Sequence, residues 1–141
     1  MASTLTRGQR LAVAVARVIL GIVFVAHGWQ KFHDYGIADV QASFAKMGIP
    51  AAHASAWFAG VAELAGGVLL ILGIAIPAVA VVLIVDMLGA IITTDFKHGL
   101  LGGYELPLVL IAGLLAIAIA DHGATAIDTH VLGRFRKGSH A

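Results

Sequence analysis

Long apolar segments separated by short polar or glycine-rich breaks make up most of this chain. The first apolar segment extends from about residue 10 to residue 32, which at 1.5 Å per residue is enough to cross a hydrocarbon core about 30 Å thick. A second apolar region, from about residue 53 to residue 96, is too long for one crossing and has to fold back once. In the more polar connection between them we expect a short amphipathic interfacial helix over residues 39–47.

The second apolar region has its break at Gly73 and Pro77. Glycine commonly ends a helix, and proline is tolerated in the first turn of the next one. A glycine-rich stretch then precedes the last apolar segment. The pattern therefore predicts an all-α fold, a transmembrane four-helix bundle, with helices at about residues 10–32, 54–74, 77–96 and 104–120.

Polar ends flank the predicted membrane domain: an N-terminal arm over residues 1–9 precedes it, and a tail over residues 122–141 follows residue 121. Because Arg17 interrupts the first apolar segment, we interpret this segment as a retained helix and not as a signal peptide. The positive-inside rule predicts that both termini are cytoplasmic, since the ends carry more basic residues than the opposite loops. The terminal cations are Arg7, Arg10, Arg134, Arg136 and Lys137, and those on the other side are Lys31, Lys46 and Lys97.

Composition strengthens the assignment to the membrane. Hydrophobic residues make up 60% of the chain, charged residues 12%, and the mean hydropathy is +0.95. A net charge of +1 without a long basic block argues against nucleic acid as a partner. The absence of cysteine excludes a thiol nucleophile, a dithiol relay and an iron–sulfur cluster held by this chain.

Three charged residues lie inside the predicted helices: Arg17, Glu63 and Asp86. Counting the helical rise from the predicted helix ends places them at a similar depth, so we expect Glu63 or Asp86 to neutralise Arg17. This intramembrane ion network is either a structural device that fixes the register of the bundle or a polar path at mid-depth. The spacing does not decide between the two.

A second polar group is expected near the outer rim of the bundle, and we call it the outer group. It comprises His27, Lys31, His98 and Glu105, with the aromatic residues Trp29 and Tyr104 beside them. Hydrogen-bond donors and a proton-exchanging histidine suit a quinone head group, whereas the alternative is an interfacial cap without a ligand. No metal site is expected, because histidines and carboxylates lack ligand spacing within a helix, and the rim position of the histidines argues against haem.

Three motifs resemble a known family. They are R-x9-H-G-x-x-K in the first predicted helix, E-x-x-G-G in the second and H-x6-E before the fourth. Their residues are Arg17, His27, Gly28, Lys31, Glu63, Gly66, Gly67, His98 and Glu105. Together they resemble the DoxX family of small four-helix bacterial membrane proteins, over about residues 10–120. The resemblance implies a link to quinone oxidoreductase subunits or to membrane-associated oxidative-stress complexes.

We therefore expect an accessory subunit of a quinone-linked redox or oxidative-stress system in the bacterial inner membrane. The resemblance implies a lipid bilayer as surroundings and a redox partner protein in the membrane or at either face of it. Two alternatives stay open, a non-catalytic membrane adaptor or assembly factor and a proton-coupled carrier for a small solute. The sequence shows no self-sufficient catalytic motif, and it leaves open whether the protein is a homo-oligomer.

Overall fold

Four long helices and one short helix form the protein in a computed structural model, which describes residues 5–121 and, apart from 94–96, their side chains. The helices are α1 (Arg7–Trp29), α2 (Ile37–Lys46), α3 (Ala52–Leu72), α4 (Ile76–Ala90) and α5 (Glu105–Ala120). Residues 1–4 of the predicted arm and the predicted tail, residues 122–141, lie outside the described residues.

α1 begins three residues earlier than the apolar pattern indicated, because a polar cap starts it. The Thr6 hydroxyl accepts a hydrogen bond from the Gln9 backbone N–H at 3.2 Å, and the Thr6 N–H donates to the Gln9 side chain at 2.8 Å. At its other end α1 continues through a π-helical turn, Gln30–Asp34. The combined helical segment is 28 residues long.

The long helices close into a ring. α1 packs most extensively against α3 and also contacts α5, while α4 contacts both α3 and α5. α2 lies against α3. All four long helical segments are long and apolar enough to cross a membrane, and the described residues form no strand. The expected all-α four-helix membrane bundle is confirmed, whereas the side of the membrane on which the termini lie stays a prediction.

Glycines allow α1 and α3 to approach each other closely. A Cβ added at Gly21 would lie 2.7 Å from the carbonyl oxygen of Gly67, and one added at Gly28 would lie 2.5 Å from the backbone nitrogen of Leu64. No larger residue fits such a contact between helix backbones. The two helices run antiparallel, so this contact fixes which side chains of α1 and α3 meet.

The turn between α3 and α4 coincides with the glycine–proline break in the sequence. Gly73 has φ 74°, in the left-handed region that favours glycine, and its N–H donates to the carbonyl oxygen of Leu69 at 2.9 Å. Pro77 lies in the first turn of α4, where its missing N–H costs no hydrogen bond. The turn places Gly73 against the Arg17 side chain of α1.

Candidate functional site

Arg17 is neutralised by Asp121, at the end of the bundle where α5 stops. Its Nη1 donates to the Asp121 carboxylate at 3.1 Å, and both side chains are buried. The predicted pairing of Arg17 with Glu63 or Asp86 is wrong. The glycine contact between α1 and α3 sets Arg17 beside Gly73, and Glu63 lies ten residues earlier in the chain, about 15 Å along a helix at 1.5 Å per residue.

Glu63 pairs instead with Lys31, which the sequence had assigned to the outer group. The Lys31 ammonium donates to the Glu63 carboxylate at 2.5 Å. The two backbone positions are offset along the bundle, but helix side chains lean toward the N-terminus of their own helix. Because α1 and α3 are antiparallel, the Lys31 and Glu63 side chains lean toward each other and meet.

Asp86 of α4 completes this group, which we call the lysine–carboxylate cluster: Lys31, Glu63 and Asp86. The Asp86 residue is 9% exposed, and its carboxyl group lies close enough to the Glu63 carboxyl group for the two to interact electrostatically. Its second oxygen, Oδ2, is buried without a hydrogen-bond partner among the described residues. One ammonium group thus faces two carboxyl groups, and one acceptor atom is left over.

The cluster forms part of the wall of a cavity of about 530 Å³ between α3 and α4, which we call the α3/α4 cavity. Its lining residues are Lys31, Phe44, Ile49, Ala54, Ser55, Phe58, Ala59, Glu63, Val85, Asp86, Gly89, Ala90 and Thr93. Most of this surface is apolar. Two lining residues, Phe58 and Val85, are 47% and 55% exposed, so the cavity opens sideways on the surface that faces lipid in a membrane.

A second cavity, of about 430 Å³, lies beneath α2 and is more polar. We call it the polar cavity. Asp34, Asp39 and Ser43 contribute its polar lining, and Lys31 and Phe44 line both cavities. Lys31 therefore separates an apolar, lipid-facing space from a polar one near the connection between α1 and α3.

The histidine and tryptophan of the outer group in α1 make local contacts. The His27 Nδ1 atom lies 2.9 Å from the Val23 carbonyl oxygen of its own helix, a hydrogen bond when the proton is on Nδ1. Trp29 is exposed, and its ring stacks on His33 with centroids 5.1 Å apart. Neither His27 nor Trp29 lines the α3/α4 cavity.

The outer-group residues near α5 also lie outside this cavity. His98 is exposed, Glu105 is exposed and accepts a hydrogen bond from the Gly102 N–H at 3.2 Å, and Tyr104 is half-buried. Lys31 is thus the member of the outer group that lines the α3/α4 cavity, and a ligand-binding role for the others stays a prediction. Within residues 5–121, histidines and carboxylates form no group of three that could hold a metal ion.

Comparison with known proteins gives one family and two relatives. The DoxX family model matches residues 12–95. The chain is 29% identical to "Putative oxidoreductase CatD" of Bacillus subtilis (strain 168), over 96% of this chain and 98% of that protein. It is 38% identical to "Uncharacterized membrane protein Rv3486" of Mycobacterium tuberculosis (strain ATCC 25618 / H37Rv), over 66% of this chain and 56% of that protein. No solved structure gives a significant match.

Proposed function

The chain belongs to the DoxX family of membrane proteins, and from this premise we propose that it is an accessory subunit of a quinone-linked redox system. In this proposal the quinone head group binds in the α3/α4 cavity. The observation that carries the proposal is a lipid-facing apolar cavity with a lysine and two carboxyl groups in its wall.

The size and the opening of the cavity suit such a ligand. Pockets for small molecules and cofactors usually measure about 300–1,000 Å³ and are mainly apolar with a few polar groups. The α3/α4 cavity has about 530 Å³ and this type of lining. Its sideways mouth between Phe58 and Val85 allows a lipid-soluble molecule to enter from the hydrocarbon region without crossing the bundle.

The polar side chains fit a ring that carries two oxygen atoms. The Lys31 ammonium group has three N–H donors, so it can hold Glu63 and still donate to a ligand oxygen. The rings of Phe44 and Phe58 line the same cavity and offer faces or edges for aromatic packing. A bound quinone would supply the electron and proton chemistry, and the residues of this chain would bind and orient it.

The link to redox chemistry has weaker support than the binding site. A relative that aligns along nearly its whole length is named an oxidoreductase, with the word putative in its name. This chain has no cysteine with which to relay electrons. We therefore propose a redox partner protein as the source or destination of electrons, and the bacterial cell membrane as the location, since both relatives are bacterial.

A non-catalytic adaptor or assembly factor is the second candidate function. The Arg17–Asp121 pair favours it, because both side chains are buried and Arg17 lines neither of the two cavities at Lys31. Removing one partner of such a buried pair is strongly destabilising, so the pair holds the bundle in one arrangement without needing a ligand. If the lysine–carboxylate cluster acts in the same way, the protein needs no cofactor.

Purification in a mild detergent, followed by extraction and identification of bound quinone, haem and proteins, tests the choice. A short-chain quinone is then titrated into the purified protein by calorimetry. We expect Lys31→Met to weaken binding severalfold, whereas Lys46→Met, an exposed lysine change on α2, should leave it unchanged. Absence of quinone in the extract together with absence of binding in the titration would favour the adaptor.

A further inference from the structure

We infer that the α3/α4 cavity selects ligands that donate hydrogen bonds, so the reduced, dihydroxy form of a quinone binds more tightly than the oxidised form. This inference rests on the proposed function and specifies the ligand state that the site recognises. It follows from the balance between donor and acceptor atoms on the cavity wall.

The Asp86 Oδ2 atom is the first part of that balance. It is buried, it belongs to a residue that lines the cavity, and it has no hydrogen-bond partner among the described residues. Leaving a buried acceptor unpaired costs free energy, more so when the group is charged. A ligand hydroxyl group satisfies this atom once the Asp86 side chain turns it toward the cavity, whereas a quinone carbonyl oxygen placed there adds a second acceptor.

The hydroxyl groups of the cavity point to the same conclusion. Ser55 Oγ donates its proton to the Pro50 carbonyl oxygen at 2.8 Å, and Thr93 Oγ1 donates to the Gly89 carbonyl oxygen at 2.7 Å. Each hydroxyl group has one proton, so while these two bonds are kept both oxygens can only accept from a ligand. Among the described lining side chains Lys31 is then the donor that remains, and it can serve either form of the ligand, since both forms carry oxygen lone pairs.

Charge adds to this preference. Among the described residues, Lys31 is the one cation facing the carboxyl groups of Glu63 and Asp86. When both carboxyl groups are ionised, the cluster carries an excess negative charge, and a hydrogen bond from a neutral O–H to a carboxylate is stronger than one between neutral groups. A hydrogen bond to a charged group is stronger than one between neutral groups, so we expect a difference in Kd of roughly tenfold or more.

The test compares three matched probes under anaerobic conditions: a short-chain hydroquinone, the corresponding quinone and the dimethyl ether of the hydroquinone. The ether has nearly the same ring and reduced oxidation state, but it has no O–H. Calorimetric titration of the purified protein should give a Kd for the hydroquinone at least roughly tenfold below the Kd of either other probe.

Two variants locate the effect. Asp86→Asn keeps the size of the side chain but introduces an N–H donor, so the preference for hydroquinone should fall to parity or reverse. Asp39→Asn, at an exposed residue of α2 that lines the polar cavity but not the α3/α4 cavity, should keep the preference of the original protein. Thermal unfolding of each variant in detergent verifies that the bundle is intact.

The outcomes separate this inference from the proposed function. Equal affinity for the three probes, or tighter binding of the quinone, overturns the inference and leaves a quinone site in place. Absence of binding by all three probes overturns both. If Asp86→Asn fails to fold, the comparison of the three probes on the original protein decides the matter alone.

Discussion

Two buried ionic groups lie toward opposite ends of α1, and they differ in how completely their charges are matched. At one end Arg17 meets Asp121, which within the described part of the chain is one cation with one anion. At the other end Lys31 meets Glu63 and, through it, Asp86, one cation with two carboxyl groups. Arg17 and Lys31 are 14 residues apart in the sequence, which corresponds to about 21 Å along a helix.

The surroundings of the two groups differ in the same direction. Arg17 packs under the tight turn at Gly73, where a Cβ atom would collide with its guanidinium group. Lys31 instead lines two cavities, one of them open toward lipid. The Arg17 Nε atom is also buried without a hydrogen-bond partner among the described residues, but Arg17 lines neither of these two cavities. The lysine–carboxylate cluster lies beside open space and therefore has room for a ligand.

The largest loss of stability is expected when the Arg17–Asp121 pair is broken. Arg17→Leu removes the Arg17 cation that faces the buried Asp121 carboxylate and should lower the free energy of unfolding by about 3–5 kcal/mol. Replacing both residues by leucine should restore a large part of that loss, since both buried charges are then removed together. Thermal or denaturant unfolding in detergent measures both variants.

Two further variants act as controls for this pair. Arg10→Leu removes an exposed arginine from the same helix and should change stability by less than about 0.5 kcal/mol. Combining Arg17→Leu with Glu63→Leu should give additive losses, because the two residues do not share an ion pair. Rescue by the Glu63 change would return Arg17 to its sequence-predicted partner and contradict the structure.

The next largest effect is expected at the glycine contact between α1 and α3, which lies between the two ionic groups. Gly28→Ala would bring a Cβ atom to 2.5 Å from the Leu64 backbone, so α1 and α3 must move apart. Such overpacking typically costs about 1–3 kcal/mol and should also weaken binding of the hydroquinone probe, because Lys31 follows three residues later. The matched change Gly8→Ala meets no atom within 4 Å and should be neutral or slightly stabilising. A fully stable Gly28→Ala protein would show that α1 and α3 do not approach so closely.

A smaller loss of stability is expected in the lysine–carboxylate cluster. Lys31→Met removes its cation, but the remaining carboxyl groups line the α3/α4 cavity and can be neutralised by protons. We therefore expect a loss of about 1–2 kcal/mol in unfolding experiments, clearly below that of Arg17→Leu. A loss equal to that of Arg17→Leu would mean that the lysine–carboxylate cluster is as inaccessible to solvent as the Arg17–Asp121 pair.

The smallest effects are expected at the outer-group residues near α5. His98 and Glu105 are both exposed and outside the α3/α4 cavity. His98→Gln and Glu105→Gln should each change stability by less than about 0.5 kcal/mol and leave the Kd of the hydroquinone probe unaltered. Weaker probe binding in either variant would transfer the ligand site to the outer group that the sequence suggested.

The apolar pattern predicts most of the architecture, because a segment that crosses a lipid bilayer must be apolar and long enough to span it. Segment length alone indicates four crossings, since each crossing needs about 20 apolar residues. The turn at Gly73 and Pro77 can be predicted from local sequence, because of the conformations that these two residues allow. The start of α1 is harder to predict, because the polar Thr6 cap starts the helix before the apolar residues begin.

Partner choice among the charged residues could not be predicted in the same way. Depth was counted from apolar boundaries, yet the register of α1 against α3 is set by glycine contacts. A usable signal exists, since Gly21 and Gly28 in α1 have the same spacing as Gly60 and Gly67 in α3. Matching these two glycine pairs in antiparallel order places Arg17 near the end of α3.

The burial of Asp121 and the presence of the α3/α4 cavity could be found only from the three-dimensional structure. In the sequence Asp121 lies at the boundary between the predicted membrane domain and the polar tail, and nothing local distinguishes a buried carboxylate at a helix end from a solvated one. Likewise Phe58 and Val85 resemble ordinary lipid-facing residues in their helices. They become the mouth of a cavity because α3 and α4 separate beside the lysine–carboxylate cluster.

The Arg17–Asp121 pair has a consequence for the order of events during synthesis. Its two residues are 104 positions apart, so α1 enters the membrane long before its counter-ion exists. At roughly 5–20 residues per second, the ribosome adds Asp121 about 5–20 s after Arg17. Through that interval the guanidinium group depends on water, lipid head groups or the insertion machinery for solvation. This ion pair can therefore form only after all four crossing helices have been synthesised.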